Sequence, residues 1–404
     1  MSHHDRNVPA RPQVAIVRGH HLNPFEMQTY ALLCNEFDLT AIAAQENRFE
    51  TDPIGFPIVH LHQPREIGLD IPHWRGFCNL ATRRLFGSEE RLLGLGRLLP
   101  RFDIVHTVET FNYYSLQAVR AKSKTGRPVV LTVWENIPFN LEHFPHFAQC
   151  KREVRQNADM FLAITEQARS ALIREGVPEN RIHVIGAGID VQCFRPGKAD
   201  AKWYTNFDIT TREKIVLFVG RLSKSKGVYD LLTAVHLLSE RGVVKSNTHK
   251  VLVIGQGAEE LGLRTMTQSL GIDDIVRFGG GISYTDMPDI HRLADVFVLP
   301  SVATPTWEEQ FGMVLAESMA SGKAVIGTIS GAIPEVVGEA GILVPPESPD
   351  SLAQALHNLL ADDSQRSEFG RKARQRIEST FAHSLVAERI ACVYRTLLQD
   401  KCGG

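Results

Sequence analysis

Glu309 and Glu317 stand eight residues apart, on either side of a junction between a polar loop and an apolar helical run. Thr304 to Gln310 is rich in turn formers and carboxylates, and Gly312 opens the run Met313 to Ala320. Ser321-Gly322 ends that helix, and Ala324-Val325-Ile326 reads as a short buried strand. A loop-to-helix junction leaves backbone N–H groups unpaired at the positive end of the helix dipole, so it suits an anion. One carboxylate before those groups and one just inside the helix fit a ligand with phosphate at one end and hydroxyls at both sides. A second constellation lies upstream, where Arg221 and Lys226 occupy a loop bounded by Gly220 and Gly227. Two cations between a strand and a helix, with glycines permitting tight backbone, make a diphosphate clamp. Singly, each feature has a plain reading as surface acids on a helix or solvated loop charges. Their order along one chain makes independent coincidence a poor account.

The pattern E-x7-E, followed by A-x-G-x-x-V-I and G-x-x-P-E-V, resembles the retaining GT-B glycosyltransferases of the family four type. The stretch G-R-L-x-x-x-K-G resembles the donor-phosphate motif of the same family. This resemblance implies that Glu317 holds the ribose of a nucleotide sugar and that Glu309 approaches the donor sugar. It also implies that the backbone Gln310, Phe311, Gly312, Met313, Val314 and Leu315 faces sugar and diphosphate. Gly220, Arg221, Lys226, Gly255 and Gly257 complete the implied donor set. The likeness is specific over residues 215–345 and looser over 1–190. Where many members have a histidine after the fifth strand, this chain reads Thr132-Val133-Trp134-Glu135-Asn136. Where they have Asn-Gly-x-Asp, it has Ala187-Gly188-Ile189-Asp190. The first loop carries Gly19 alone instead of paired glycines, followed by His20 and His21. The candidate acceptor side is Gly19, His20, His106 and Trp134, with His20 and His21 read either as facing an acceptor or as solvent-exposed loop histidines, and Trp134 either as a sugar-stacking ring or as core.

The elements that must position these residues alternate strand and helix nearly throughout, which implies parallel sheets with helices on both faces. Strands are read at Gln13 to Val17, Leu39 to Ala43, Ile58 to Leu61, Ile104 to Thr107, Val129 to Val133, Met160 to Ile164 and Ile182 to Ile185. After a boundary between Asp190 and Glu213 the alternation repeats, with strands at Ile215 to Val219, Val251 to Ile254, Val276 to Phe278 and Asp295 to Leu299. Asn23-Pro24-Phe25-Glu26 predicts a helix start with an N-cap, proline at the first position and an acid three residues on. The chain ends in helices, the last with Val386, Ile390, Val393, Leu397 and Leu398 on one stripe.

The expected fold is α/β, GT-B, with two doubly wound Rossmann-like domains facing a cleft. The assignment is residues 1–196 on the acceptor side, a linker at 197–213, a nucleotide-sugar domain at 214–378, and a crossing helix at 379–404. Length and an apolar share of 43% suit two cores, and a net charge of −2 gives no footing for nucleic acid. The N-terminus MSHHDRNVPARPQ lacks an apolar core, which argues against a signal peptide, and the six dispersed cysteines read as free thiols. The expected location is the cytoplasm. One segment, 74–100, sets arginines among leucines and is weighed as a peripheral membrane contact against a helix packed on its own sheet.

The function implied is a retaining glycosyltransferase moving a hexose-type sugar from a nucleoside-diphosphate sugar to a hydroxyl acceptor, glycan, lipid-linked or small molecule. No D-x-D triplet occurs, so the expected reaction needs no metal and no other cofactor. Arg221, Lys226 and the helix start at Gly312 stabilise the leaving diphosphate instead. Two alternatives stay open: a non-catalytic nucleotide-sugar-binding protein, and another GT-B enzyme such as an epimerase or phosphorylase.

Overall fold

The computed structural model describes residues 11–51, 54–66 and 90–402. They form two compact units. The first holds the described residues up to Ile164, Ala168–Ile185 and the chain from Ser384 onward; the second holds Thr165–Gln167 and Gly186–His383.

In the first unit, β1 (Gln13–Gly19), β2 (Asp38–Ala44), β3 (Ile58–Leu61), β4 (Ile104–Val108), β5 (Val129–Val133), β6 (Met160–Ala163) and β7 (Ile182–Val184) form one sheet. Its order is β3-β2-β1-β4-β5-β6-β7, and every pairing is parallel. The strands are apolar on both faces because helices cover both, and all five residues of β4 and of β5 are buried. Leu116 and Val119 of the helix Tyr113–Thr125 pack against this core with Val154 of the helix Pro145–Asn157.

In the second unit, β8 (Lys214–Val219), β9 (His249–Ile254), β10 (Val276–Gly280), β11 (Val296–Leu299), β12 (Ala324–Thr328) and β13 (Ile342–Val344) follow the order β10-β9-β8-β11-β12-β13, again all parallel. Phe218, Phe297, Leu315 and Val325 are fully enclosed in it. Removing a ring such as Phe297 is expected to cost about 3–5 kcal/mol through transfer and cavity terms.

In both sheets the strand order reverses once, between β1 and β4 and between β8 and β11. Loops leaving the carboxyl ends of such neighbours diverge and leave a crevice where ligands collect. The four loops after β1, β4, β8 and β11 are those that carry the residues of interest.

Three sequence expectations differ from the structure. The chain divides at Ile185, earlier than the Asp190–Glu213 stretch, because residues after it pack as part of the second unit. Phe194, Trp203 and Phe207 are buried there, with the helix Ala201–Asn206 and stacked Trp203 and Phe207 rings 5.5 Å apart. The edge strand β13 was not anticipated, since three residues carry no periodic signal. The Asn23 cap forms, its side chain accepting from the Glu26 N–H at 2.8 Å. The Glu26 carboxylate does not return to the cap. It pairs with Arg18, a fully buried guanidinium that also donates to the Tyr30 hydroxyl at 2.8 Å.

The last helix, His383–Cys402, belongs to the first unit. Arg395 binds Glu36 through two nitrogens at 2.7 Å, and Tyr394 is wholly enclosed against Phe37.

Candidate donor and acceptor sites

In the second unit the donor residues gather because β8 and β11 are sheet neighbours, with Phe297 opposite Leu217. The loop after β8 carries Gly220, Arg221 and Lys226, and the loop after β11 carries Glu309 to Gly312. The Lys226 ammonium lies 2.6 Å from Glu309 Oε2. The Ser301 hydroxyl donates to that same oxygen at 2.8 Å, and the Ser301 carbonyl accepts from the Thr328 hydroxyl at 2.5 Å. Trp307 places its ring centre 4.8 Å from the Lys226 nitrogen, a cation–π contact. The Glu309 carbonyl accepts from the Ala332 N–H at 2.8 Å, so backbone and side chain are both fixed.

Glu317 lies on the helix Met313–Ala320, with its side chain 4% exposed. Its Oε2 is 3.5 Å from His291 Nε2, on the helix Met287–Leu293. His291 is fully buried between the rings of Phe194 and Phe297. The sequence reading missed it, because a lone histidine inside an apolar helix gives no signal of what it faces. Gly312 caps Met313–Ala320 at φ +84°, a left-handed conformation that other residues rarely adopt. The first amides of this helix, at Met313 and Val314, precede its own hydrogen-bond ladder. Gln310, Met313 and Val314 are half-buried, whereas Phe311 and Leu315 are enclosed, so the last two support the loop through packing. Gly255 acts by close approach: a Cβ there would stand 1.9 Å from the Gly220 carbonyl oxygen. Gly257 meets Leu222 in the same way, so the pair holds the Arg221 loop in place from beneath. Arg221 itself is exposed and makes no ion pair among the described residues. An arrangement of one free cation, one cation tied to a carboxylate, a helix start and a second buried carboxylate can bind a diphosphate with hydroxyl-bearing groups on both sides.

The first unit treats its four assigned residues differently. Gly19 ends β1 beneath the Tyr114 ring, where a Cβ would stand 2.7 Å from Tyr114 Cε1. His20 is 1% exposed, so it is not the open loop histidine the sequence suggested; its ring lies tilted against that of His21, centroids 3.9 Å apart, and its Nε2 is 3.9 Å from Glu90. His106 is corrected outright. It is fully buried, with Nδ1 2.5 Å from the Tyr394 hydroxyl and Nε2 2.8 Å from the Thr132 hydroxyl. Burial, reinforced by Arg18, holds it well below the usual histidine range and therefore neutral. Its position inside β4 turns the ring inward, making it a tie between the sheet and the last helix. Trp134 is half-buried and packs against the core, and its backbone N–H donates to Glu109 Oε1 at 2.8 Å. Glu109, directly after β4, is a buried carboxyl that the sequence reading passed over.

Most of the 74–100 segment lies outside the described residues. Within the described part, Leu92, Leu95 and Leu99 are buried in the core. Arg91 and Arg97 line a cavity of about 1000 Å³ with Arg120, Lys124 and Arg127. No helix among the described residues is long and apolar enough to cross a membrane.

Two family models match the chain: the glycosyl transferase 4-like domain over residues 29–188, and glycosyl transferases group 1 over residues 201–376. A D-inositol 3-phosphate glycosyltransferase of Corynebacterium glutamicum is 30% identical over 261 residues, 62% of this chain and 60% of that protein. Its namesake in Corynebacterium jeikeium is 33% identical over 260 residues, 61% of this chain and 60% of that one. The chain thus spans about three-fifths of the length of the curated relatives it matches. Among solved structures, Anabaena HepE in complex with UDP superposes with a TM-score of 0.75 at 17% identity, covering 95% of this chain and 100% of that one. Sucrose-phosphate synthase from Thermosynechococcus elongatus gives 0.70 at 20% identity, covering 96% and 100%. These likenesses extend the fold over nearly the whole chain, and the two family models divide it in the same order as the two sheets. The chain belongs to the GT-B glycosyltransferases of the family four type, the glycosyl transferases group 1.

Proposed function

We propose that this protein is a retaining glycosyltransferase that moves a hexose-type sugar from a nucleoside-diphosphate sugar to a hydroxyl acceptor. The observation that carries the reading is the meeting of Lys226 and Glu309 at 2.6 Å beside the Arg221 loop and the start of Met313–Ala320. Catalysis of this kind requires that charge developing on the leaving diphosphate meet fixed positive groups. Arg221 and Lys226 supply them, with the helix amides behind. Glu317 takes the ribose hydroxyls, and Glu309 orients the donor sugar without becoming a covalent nucleophile. In the ligand-free protein Lys226 is neutralised by Glu309. A bound diphosphate competes for that ammonium and leaves the Glu309 carboxylate facing the sugar. Retention follows from front-face transfer, in which the leaving phosphate oxygen helps to remove the acceptor proton.

The names of the relatives that bind UDP or act on inositol phosphate support a nucleotide donor and a polyol-like acceptor. The basic cavity around Arg97 and Lys124 supports a peripheral membrane contact on the first unit. The deciding experiment is a screen of nucleotide sugars for turnover with a panel of sugar and polyol acceptors, followed by proton NMR of the product anomer. An anomer of the donor's own configuration is expected. Inversion, or turnover of donor without acceptor into an epimer, overturns the reading.

A further inference from the structure

We infer that Glu109 is the acceptor-hydroxyl-binding group of the first unit, and that it favours an uncharged sugar or polyol over a phosphorylated one. The inference rests on the glycosyltransferase reading and adds the acceptor chemistry to it. Glu109 leaves β4 at the point where the strand order reverses between β1 and β4, the place in such a sheet where a crevice opens. Its backbone sits at φ +62°, a conformation that costs a side-chain-bearing residue about 1–3 kcal/mol and persists only where the surroundings impose it. The Glu109 N–H is held by the Thr132 carbonyl at 2.9 Å. Oε1 accepts from the backbone N–H groups of Trp134 at 2.8 Å and Glu135 at 3.2 Å. Oε2, equally buried, has no hydrogen-bond partner. A buried carboxyl oxygen left unpaired is costly, and a ligand hydroxyl removes that cost.

The neighbours define which hydroxyl. Trp134, whose backbone N–H binds Glu109, is half-buried, and an indole ring is a flat apolar surface of the kind that suits a sugar or cyclitol ring. Burial pushes the Glu109 carboxyl up to about 8, helped by Glu135, so near neutral pH it is largely protonated and presents both a donor and an acceptor to a hydroxyl. A phosphate dianion would meet two carboxyl groups there, Glu109 and Glu135. The cation that acts on Glu109, Lys151, is already committed to Glu175 at 2.7 Å. The buried Tyr114 phenol, itself raised by burial, is a further titratable neighbour.

The test uses saturation-transfer NMR with glucose, mannose and inositol as probes, beside glucose 6-phosphate and D-inositol 3-phosphate, on the whole protein and on Glu109→Ala and Glu109→Gln. Binding of at least one uncharged probe is expected to exceed that of its phosphate. Glu109→Ala should weaken it about tenfold or more, and Glu109→Gln, which keeps a donor and an acceptor, about threefold or less at pH 7. Above pH 8 the affinity of the parent should change while that of Glu109→Gln stays level. UDP affinity, a property of the second unit, serves as the folding control. Equal probe binding in Glu109→Ala with UDP binding intact overturns the inference, as does a preference for the phosphorylated probes. If the parent binds sugars through Glu109 but turns over no nucleotide sugar, the sugar site at Glu109 stands while the glycosyltransferase reading, and with it the acceptor role, fails.

Discussion

Lys226 Nζ stands 2.6 Å from Glu309 Oε2, so the cation assigned to the diphosphate and the carboxylate assigned to the sugar are one unit before any ligand arrives. With 15% and 10% of their side chains exposed, each is largely shielded from water. Removing either partner leaves the other charge under-compensated, which costs more than the pair itself is worth. Lys226→Ala and Glu309→Ala are each expected to lower catalytic efficiency about tenfold to a hundredfold. The double variant should lose much less than the product of the two, because both act on one pair. Steady-state kinetics on the three variants measures the coupling. Strict multiplicativity would show that the pair acts as two separate groups.

Glu317→Ala is expected to weaken the free nucleoside diphosphate as well as the whole donor, by about 1.5–3 kcal/mol for a lost charge-assisted hydrogen bond. His291→Phe removes the imidazole 3.5 Å from Glu317 and should weaken the nucleotide by a smaller step through the position of that carboxylate. Titration calorimetry with UDP distinguishes the two. Unchanged nucleotide affinity in Glu317→Ala would move Glu317 away from the ribose.

Turnover is expected to depend on Arg221 and to persist in excess chelator. Arg221→Ala should lose about tenfold to a hundredfold in kcat/KM, since the guanidinium is exposed and free for phosphate. Loss of activity in chelator, restored by magnesium or manganese, would reject the metal-free reaction.

Stability should fall with rising pH on account of Glu109. Its carboxyl is raised to about 8 in the folded chain by burial, so between the ordinary carboxylate range and about pH 8 the native state keeps a proton that the unfolded state has released. The stabilisation present in acid is lost progressively over that window, on the order of a few kcal/mol. Glu109→Gln does not titrate. Its melting temperature should approach that of the parent near pH 5 and exceed it near pH 8. A difference that does not vary with pH would contradict the buried, protonated carboxyl.

Tyr394→Phe removes the hydroxyl that meets His106 Nδ1 at 2.5 Å and leaves a buried ring nitrogen unsatisfied. A loss of about 1–3 kcal/mol in urea unfolding is expected, with UDP affinity unchanged because the contact lies in the first unit.

The sequence by itself determined the runs of buried β-branched residues that become two parallel sheets, the cap at Asn23, the helix opened by Gly312, and the loops bearing Arg221, Lys226, Glu309 and Glu317. These are local properties, set by periodicity, turn chemistry and charge within a few residues, and they leave a readable trace. Only the tertiary structure decided that β8 lies beside β11, and hence that Lys226 touches a carboxylate eighty-three residues away. It alone turned His106 into the core, set His291 behind Glu317, and left one oxygen of Glu109 unpartnered after β4. Whether a polar side chain is buried, and what it meets there, depends on strand order and on helices arriving from distant sequence. Tyr394, 288 residues beyond His106, is such a partner, and no pattern around His106 announces it. The same cause moved the unit boundary to Ile185. The polar-looking stretch after it hides Phe194, Trp203 and Phe207, whose burial is fixed by the surface they meet rather than by their immediate neighbours.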